Sequence, residues 1–276
     1  EMDAYSARSG RHLLAIAGVC GEAPQAVAEA KLAGSIGYDA VLVSPGGLGH
    51  LTEEQLIERT RLIAEVMPVV GFYLQVAVGG RVFSYDYWEK VCAIQNVVAV
   101  KAAPFNRYLT ADVARAIAFA DHEITLYTGN DDSIVTDLLT TYSFQDGDKV
   151  RTCRVKGGLL GHWSAWVKTA VDMFHRIKAL PEGQPVDPSW YTLAAQVTDV
   201  NSAFFDSRNN FAGVIAGMHE VLRRQGLIKG IWCLDPEEGL GAGQSEEIDR
   251  VYAQYPELND DAFVADFLKK DQEMFG

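Results

Sequence analysis

Short apolar runs recur along the first two thirds of the chain at nearly constant intervals, and this rhythm limits the fold more than any other feature. The runs end near Ala17, Ser44, Tyr73, Lys101, Thr128 and Leu160, about 27 to 32 residues apart. That interval is the length of one strand–helix unit in a parallel sheet. The runs are β-branched and nearly uninterrupted, as in Asn96-Val97-Val98-Ala99-Val100 before Lys101, which reads as strands covered on both faces. Helices fill the gaps. Thr52-Glu53-Glu54-Gln55 spells a capping box that opens a helix to about Val66, with Leu56, Ile63 and Met67 at helical spacing. Gln25 to Ile36 forms another, stopped by Gly37. No GxGxxG follows the first strand, so the even spacing favours a (β/α)8 TIM barrel over an open dinucleotide-binding sheet. About six of the eight units lie in this chain, and the other two are expected upstream of Glu1.

After about Pro181 the rhythm stops. Gly183-Gln184-Pro185 reads as a linker, which divides the chain into a barrel at 1–183 and a helical extension at 184–276. In the extension, Asp187-Pro188 is a helix start, Asn210 to Gln225 is a helix ended by Gly226, and Ser245 to Tyr255 and Asp260 to Gln272 are two more. Phe144 to Lys149 reads as a polar turn before the last strand. With 276 residues, 48% of them hydrophobic, a substantial core is within reach. A formal net charge of −13 argues against nucleic acid or an anionic membrane as a main partner. No run approaches the ~18 apolar residues of a membrane span, and no signal-peptide pattern opens the chain, so the expected location is the cytoplasm. Cys20, Cys92, Cys153 and Cys233 form no CxxC pair and read as core filler rather than as disulfides or a zinc site.

In a barrel the C-terminal strand ends share one face with the active site. Lys101 closes a buried strand with no carboxylate beside it in sequence. Such an amine either snorkels to solvent or has a depressed pKa and attacks carbonyl carbon, forming a Schiff base that acts as an electron sink. Tyr73 closes the preceding strand and is either a structural tyrosine or a proton shuttle for the lysine. Gly129-Asn130-Asp131-Asp132 is a helix cap or a loop whose backbone approaches substrate. Gly157-Gly158-Leu159-Leu160-Gly161-His162 ends at a helix N-terminus able to face an anion. His50 and His162 both fall in loops after strands, as substrate contacts or as hydrogen-bonded loop histidines. Asp131, Asp132 and His162 could supply three metal ligands, although nothing in their spacing requires it.

From about His12 to His162 the chain resembles the dihydrodipicolinate synthase / N-acetylneuraminate lyase family of class I aldolases. The ordered set is Ala15-Ile16-Ala17-Gly18, Val43-Ser44-Pro45, Tyr73, Val98-Ala99-Val100-Lys101, Thr128-Gly129-Asn130-Asp131 and Gly158-Leu159-Leu160-Gly161, standing where the family has its third to eighth strands. Asn209-Asn210, opening a helix that ends Arg224-Gln225-Gly226-Leu227, matches the family's helical extension. The resemblance implies Lys101 as the Schiff-base lysine, Tyr73 as the proton-shuttling tyrosine and Leu160 at the backbone lining the pyruvate pocket. It also implies a homo-oligomer, a dimer or tetramer. The departures are equally specific. The Gly-Thr-Thr-Gly-Glu-type loop that holds the 2-oxo-acid carboxylate has no counterpart. Gly46-Gly47 replace the relay tyrosines, Val78 stands where the synthases carry an arginine, with Arg81 a substitute for it, and Ala102-Ala103-Pro104-Phe105-Asn106-Arg107 replaces Glu-Ala-Thr-Gly. These departures imply a divergent member with another aldehyde or dehydration substrate.

The expected function is therefore a Schiff-base lyase, aldolase or synthase acting on pyruvate or a related 2-oxo acid and a second carbonyl substrate. Lys101 is the nucleophile, Tyr73 the acid/base, and Asn130, Arg81, Asn106, Leu160 and His162 the substrate contacts. No metal or organic cofactor is expected. The alternatives are a metal-dependent barrel lyase built on Asp131, Asp132 and His162, and a non-catalytic small-molecule-binding protein on an aldolase scaffold.

Overall fold

A computed structural model of the protein describes residues 2–181 and 183–275. The strand–helix rhythm is realised as β1 (Ile16–Val19), α2 (Ala23–Ser35), β2 (Ala40–Val43), α3 (Glu53–Ala64), β3 (Val69–Leu74), α4 (Tyr85–Cys92), β4 (Val97–Ala103), α5 (Arg107–Phe119) and β5 (Thr125–Thr128), after a helix α1 (Met2–Ser9). Then follow α6 (Ile134–Leu139), β6 (Thr141–Asp146), β7 (Lys149–Gly158) and α7 (Val167–Lys178). The C-terminal helices are α8 (Ser189–Phe204), α9 (Val214–Arg224), α10 (Gln244–Gln254) and α11 (Asp261–Phe275). No helix among the described residues is long and apolar enough to cross a membrane.

The seven strands form one sheet in the order β1-β2-β3-β4-β5-β7-β6, with β1 to β4 paired in parallel. The local signals explain the boundaries. At α3 both reciprocal bonds of the capping box form: Gln55 N–H donates to Thr52 Oγ1 at 3.2 Å, and Thr52 N–H donates to Gln55 Oε1 at 2.8 Å. α2 ends at Ser35, and Gly37 takes the left-handed conformation that follows it, φ +92°. Asp187 accepts from Ser189 N–H at 2.8 Å where α8 starts.

Two readings change. Phe144 to Asp146 is strand rather than turn: it pairs antiparallel with Lys149 to Arg151, and only Gly147-Asp148 turn, Gly147 at φ +57°. The alternating half-exposed pattern of this ribbon gives it a polar composition that reads as loop. The helix expected from Asn210 begins only at Val214, because Asp206, Asn210 and Phe211 all have positive φ and break the helical path.

By contacts the chain forms two compact units, Glu1–Tyr127 with Thr141–Gly157, and Thr128–Thr140 with Gly158–Gly276. In the first, the helix-covered side of the sheet is the better buried. Leu56, Ile63, Val69, Trp88 and Val91 are all at most 2% exposed there. Tyr73 packs on Trp88 at 5.3 Å between ring centroids and on Phe83 at 5.4 Å. Gly71 belongs to this side, since a Cβ there would touch the Trp88 ring. The opposite side carries a small cluster of Ala40, Val70 and Ala99, with Leu42 and Tyr127 packed against it. In the second unit Trp166, Val200, Phe204, Met218, Val221, Ile248 and Val251 make the core. Cys92 and Cys153 are buried core residues, and burial pushes both thiols up to about 12, which keeps them protonated and inert. Cys20 is exposed and Cys233 half-buried.

Candidate functional site

Lys101 sits late in β4, and its neighbour on β3 is set by an irregularity in the pairing. Val69 pairs with Val97, but Val70 pairs with Ala99, so the register shifts by one residue and Val98 is left over. From there Phe72 stands opposite Lys101 and Tyr73 opposite Ala102. Side chains alternate across a strand, so Lys101 and Phe72 share one face of the sheet and Tyr73 lies on the other. The Lys101 Nζ is 4.5 Å from the centroid of the Phe72 ring.

Tyr73 is therefore not beside the lysine amine, contrary to the sequence expectation. It is 1% exposed, stacks on Trp88, and its hydroxyl accepts the Phe83 N–H at 3.0 Å. Burial raises its pKa, and the Phe83 bond only partly opposes this. Its observed work is to seat the segment after β3 on the helix layer.

The loops after β1, β2 and β3 are tied together by guanidinium groups that donate to carbonyls. Arg59 of α3, 2% exposed, gives its Nε–H to Gly21 O at 2.7 Å, and burial lowers its pKa. Arg81 donates to Leu51 O at 2.6 Å and lies 5.6 Å above the Phe83 ring. Glu53 accepts from both the Ser84 N–H and hydroxyl, at 2.8 and 2.5 Å. Asn106 is the N-cap of α5, accepting from Tyr108 N–H at 2.9 Å and Leu109 N–H at 3.3 Å. Its amide oxygen is thus used in starting the helix.

Asn130, Leu160 and His162 belong to the second unit. Asn130 is 1% exposed and donates from Nδ2 to the buried Asp137 carboxylate at 3.0 Å, which also accepts the Thr128 hydroxyl at 2.5 Å. Leu159 N–H donates to Thr128 O at 2.9 Å, and Leu160 O accepts from Trp163 N–H at 3.2 Å, so Leu160 lies in a backbone-bonded turn. The His162 backbone N–H donates to Asp131 at 2.8 Å. Its ring stacks on Phe204 at 5.5 Å, with Nδ1 3.4 Å from the Asn201 amide nitrogen. Asp131 thus meets the backbone of His162 and not its imidazole. Among the described residues no group of three or more histidine, cysteine or acidic side chains is placed to hold a metal ion. His50 pairs with Glu22 at 3.0 Å on the surface.

Burial pushes the His162 imidazole down to about 4. An unfolded histidine titrates near 6.5, so between pH 6.5 and pH 4 the unfolded chain takes up a proton that the native state refuses. Stability is expected to fall as pH drops through this window, by on the order of 3 kcal/mol at its acid end. Urea unfolding of the native protein and of His162→Gln at pH 7 and pH 4.5 checks this. The same acid loss in both proteins would mean that His162 titrates as it would in water.

No known family model matches the chain. Among curated proteins, 4-hydroxy-tetrahydrodipicolinate synthase of Acetivibrio thermocellus is 30% identical over 112 residues, which is 40% of this chain and 36% of that protein. The match thus spans about a third of the length of that relative. Among solved structures, the chloride-inhibited dihydrodipicolinate synthase of Acinetobacter baumannii complexed with pyruvate superposes with a TM-score of 0.68 at 18% identity, covering 92% of this chain and 81% of that one. N-acetylneuraminate lyase of Fusobacterium nucleatum superposes at 0.65 and 13% identity, covering 91% and 77%. The class is thus an α/β protein with the fold of TIM-barrel enzymes, followed by C-terminal helices. Within that class, the chain is similar in fold to dihydrodipicolinate synthase and N-acetylneuraminate lyase.

Proposed function

We propose that this protein is a Schiff-base-forming lyase or synthase that acts on pyruvate or a related 2-oxo acid and a second carbonyl compound, with Lys101 as nucleophile. The observation that carries the reading is the placement of the Lys101 amine against the Phe72 ring, late in a parallel strand. The Lys101 amine adds to the ketone carbon, water leaves, and the iminium that results withdraws electrons from the adjacent carbon–carbon or carbon–hydrogen bond. The ring face of Phe72 attracts a cation and holds the iminium as it does the ammonium, an effect worth about 0.5–2 kcal/mol. This chemistry needs no metal, because the iminium itself is the electron sink.

Arg81 gives one guanidinium donor to Leu51 and has others in its planar fork. It is the proposed contact for a substrate carboxylate. Asn106 and His162 act through the helix cap and the buried stack already described.

Borohydride reduction in the presence of pyruvate, followed by peptide mass spectrometry, tests the assignment. The expected result is one reduced pyruvyl adduct, on the peptide that contains Lys101. Absence of an adduct with pyruvate and with a panel of other 2-oxo acids would reject the Schiff base. It would favour a protein that binds small molecules on an aldolase scaffold without turning them over.

A further inference from the structure

We propose that the pocket beside His162 binds a small uncharged molecule that carries a hydrogen-bond acceptor on an apolar body, such as a ketone or an ether. The site lies wholly in the second unit, and it stands whether or not Lys101 forms a Schiff base. It is a cavity of about 30 Å3, open to solvent on one side, with room for about two water molecules. The segment between β7 and α7 supplies His162, Trp163 and Trp166, α7 supplies Ala170 and Met173, and α8 supplies Val197.

The imidazole is the polar feature of this pocket. His162 is 6% exposed, with its ring stacked on Phe204. Its Nδ1 faces the Asn201 amide nitrogen at 3.4 Å. An amide nitrogen only donates, so Nδ1 is the accepting nitrogen and the ring proton sits on Nε2. Nε2 has no hydrogen-bond partner among the described residues, yet it is not one of the polar atoms sealed from solvent. Because His162 is otherwise buried and lines the cavity, the Nε2–H is directed there.

The rest of the wall is apolar. The indole nitrogens of Trp163 and Trp166 are sealed from solvent, so those side chains offer the cavity carbon and no donor. The Thr169 hydroxyl already gives its proton to the carbonyls of Trp166 and Leu258, at 2.9 and 2.7 Å. An N–H held in such surroundings without a partner costs free energy that the oxygen of a ligand returns. The same surroundings exclude charge. Burial holds the imidazole neutral, its pKa pushed down to about 4, so it has no positive charge to set against a carboxylate stripped of water. A ligand with donors only would bring its own hydrogen against the Nε2–H.

Titration of isotope-labelled native protein with butanone at pH 7, followed by NMR of the histidine and indole nitrogens, tests the site. His162→Phe keeps an aromatic ring against Phe204, removes the donor, and identifies the His162 signals by their absence. The comparison ligands are the methylene analogue of butanone, in which a CH2 group replaces the oxygen, and propionate, its charged counterpart. Butanone is expected to shift the Nε2 signal saturably, with a dissociation constant in the millimolar range. The methylene analogue is expected to bind about tenfold more weakly, and propionate not at all. In His162→Phe the ketone and its analogue are expected to bind equally, as read from the indole signals. Ala170→Leu fills the cavity from α7 and is expected to abolish binding of both. Circular dichroism and melting curves check the fold of each variant, and Ala170→Leu decides the question even if His162→Phe is destabilised. No saturable shift with butanone, equal binding of the ketone and its analogue by native protein, tighter binding of propionate than of butanone, or unchanged binding of butanone by Ala170→Leu would each overturn the site.

Discussion

Lys101→Arg protein is expected to form no borohydride-stable adduct and to lose activity on a 2-oxo acid to background, by on the order of 10⁴-fold or more. The substitution keeps the positive charge that faces the Phe72 ring, but a guanidinium stays protonated and cannot add to a carbonyl. It therefore separates nucleophilic chemistry from electrostatic binding. Lys101 is only half-buried at its strand end, so the fold should survive the change. An adduct that persists on another lysine of Lys101→Arg protein, with activity retained, would move the nucleophile elsewhere. Under the proposed mechanism, pyruvate binding that survives without turnover is the expected companion result, since the substitution leaves the Phe72 side of the sheet in place.

Gly217→Ala is expected to destabilise the second unit by about 3 kcal/mol or more, far beyond the usual cost of an alanine on a helix. Gly217 is in α9, where a Cβ would run into the backbone carbonyl of Phe204 in α8 and into the side-chain amide of Gln244. That amide is 2% exposed and donates to Ala203 O at 3.3 Å, Phe204 O at 3.2 Å and Gly213 O at 3.1 Å, while its oxygen accepts from Gly241 N–H at 2.9 Å. A methyl group here does more than crowd two helices: it unseats a polar clamp joining α8, the start of α9 and the start of α10. Neither the carbonyl nor the amide has water to turn to once displaced. The urea midpoint of the variant measures the loss, and a change below about 1 kcal/mol would mean that the helices slide apart without breaking the clamp.

Much of this architecture is legible in the sequence because it is local. The capping box at Thr52, the stop at Gly37 and the Asp187-Pro188 start are each decided within a few residues, and each forms as written. The strands are legible because β-branched apolar runs of that length have few other uses. The hairpin of β6 and β7 is harder to see, because its stability comes from pairing between residues that individually look like loop. The late start of α9 is hidden for a related reason. Asp206 accepts from Asn209 Nδ2 at 2.6 Å and from Gly213 N–H at 3.1 Å, and this clasp competes with the helical path over residues whose composition suits a helix.

The candidate site divides along the same line. Lys101 stands out in sequence because an amine closing an apolar strand is costly without a purpose. Tyr73 stands out because it closes the strand before the lysine's, and regular pairing onward from Val69 with Val97 would set it opposite Lys101. The bulge at Val98 removes that match, and a one-residue slip sends every later side chain of the pair to the other face. The sequence by itself determined the order of strands and helices, the capping of those helices and the lysine at the end of β4, since propensity and hydrophobic pattern act over a few residues. The face of the sheet on which Tyr73 lies relative to that lysine was decided only in the tertiary structure, because strand register depends on how two separate segments pack.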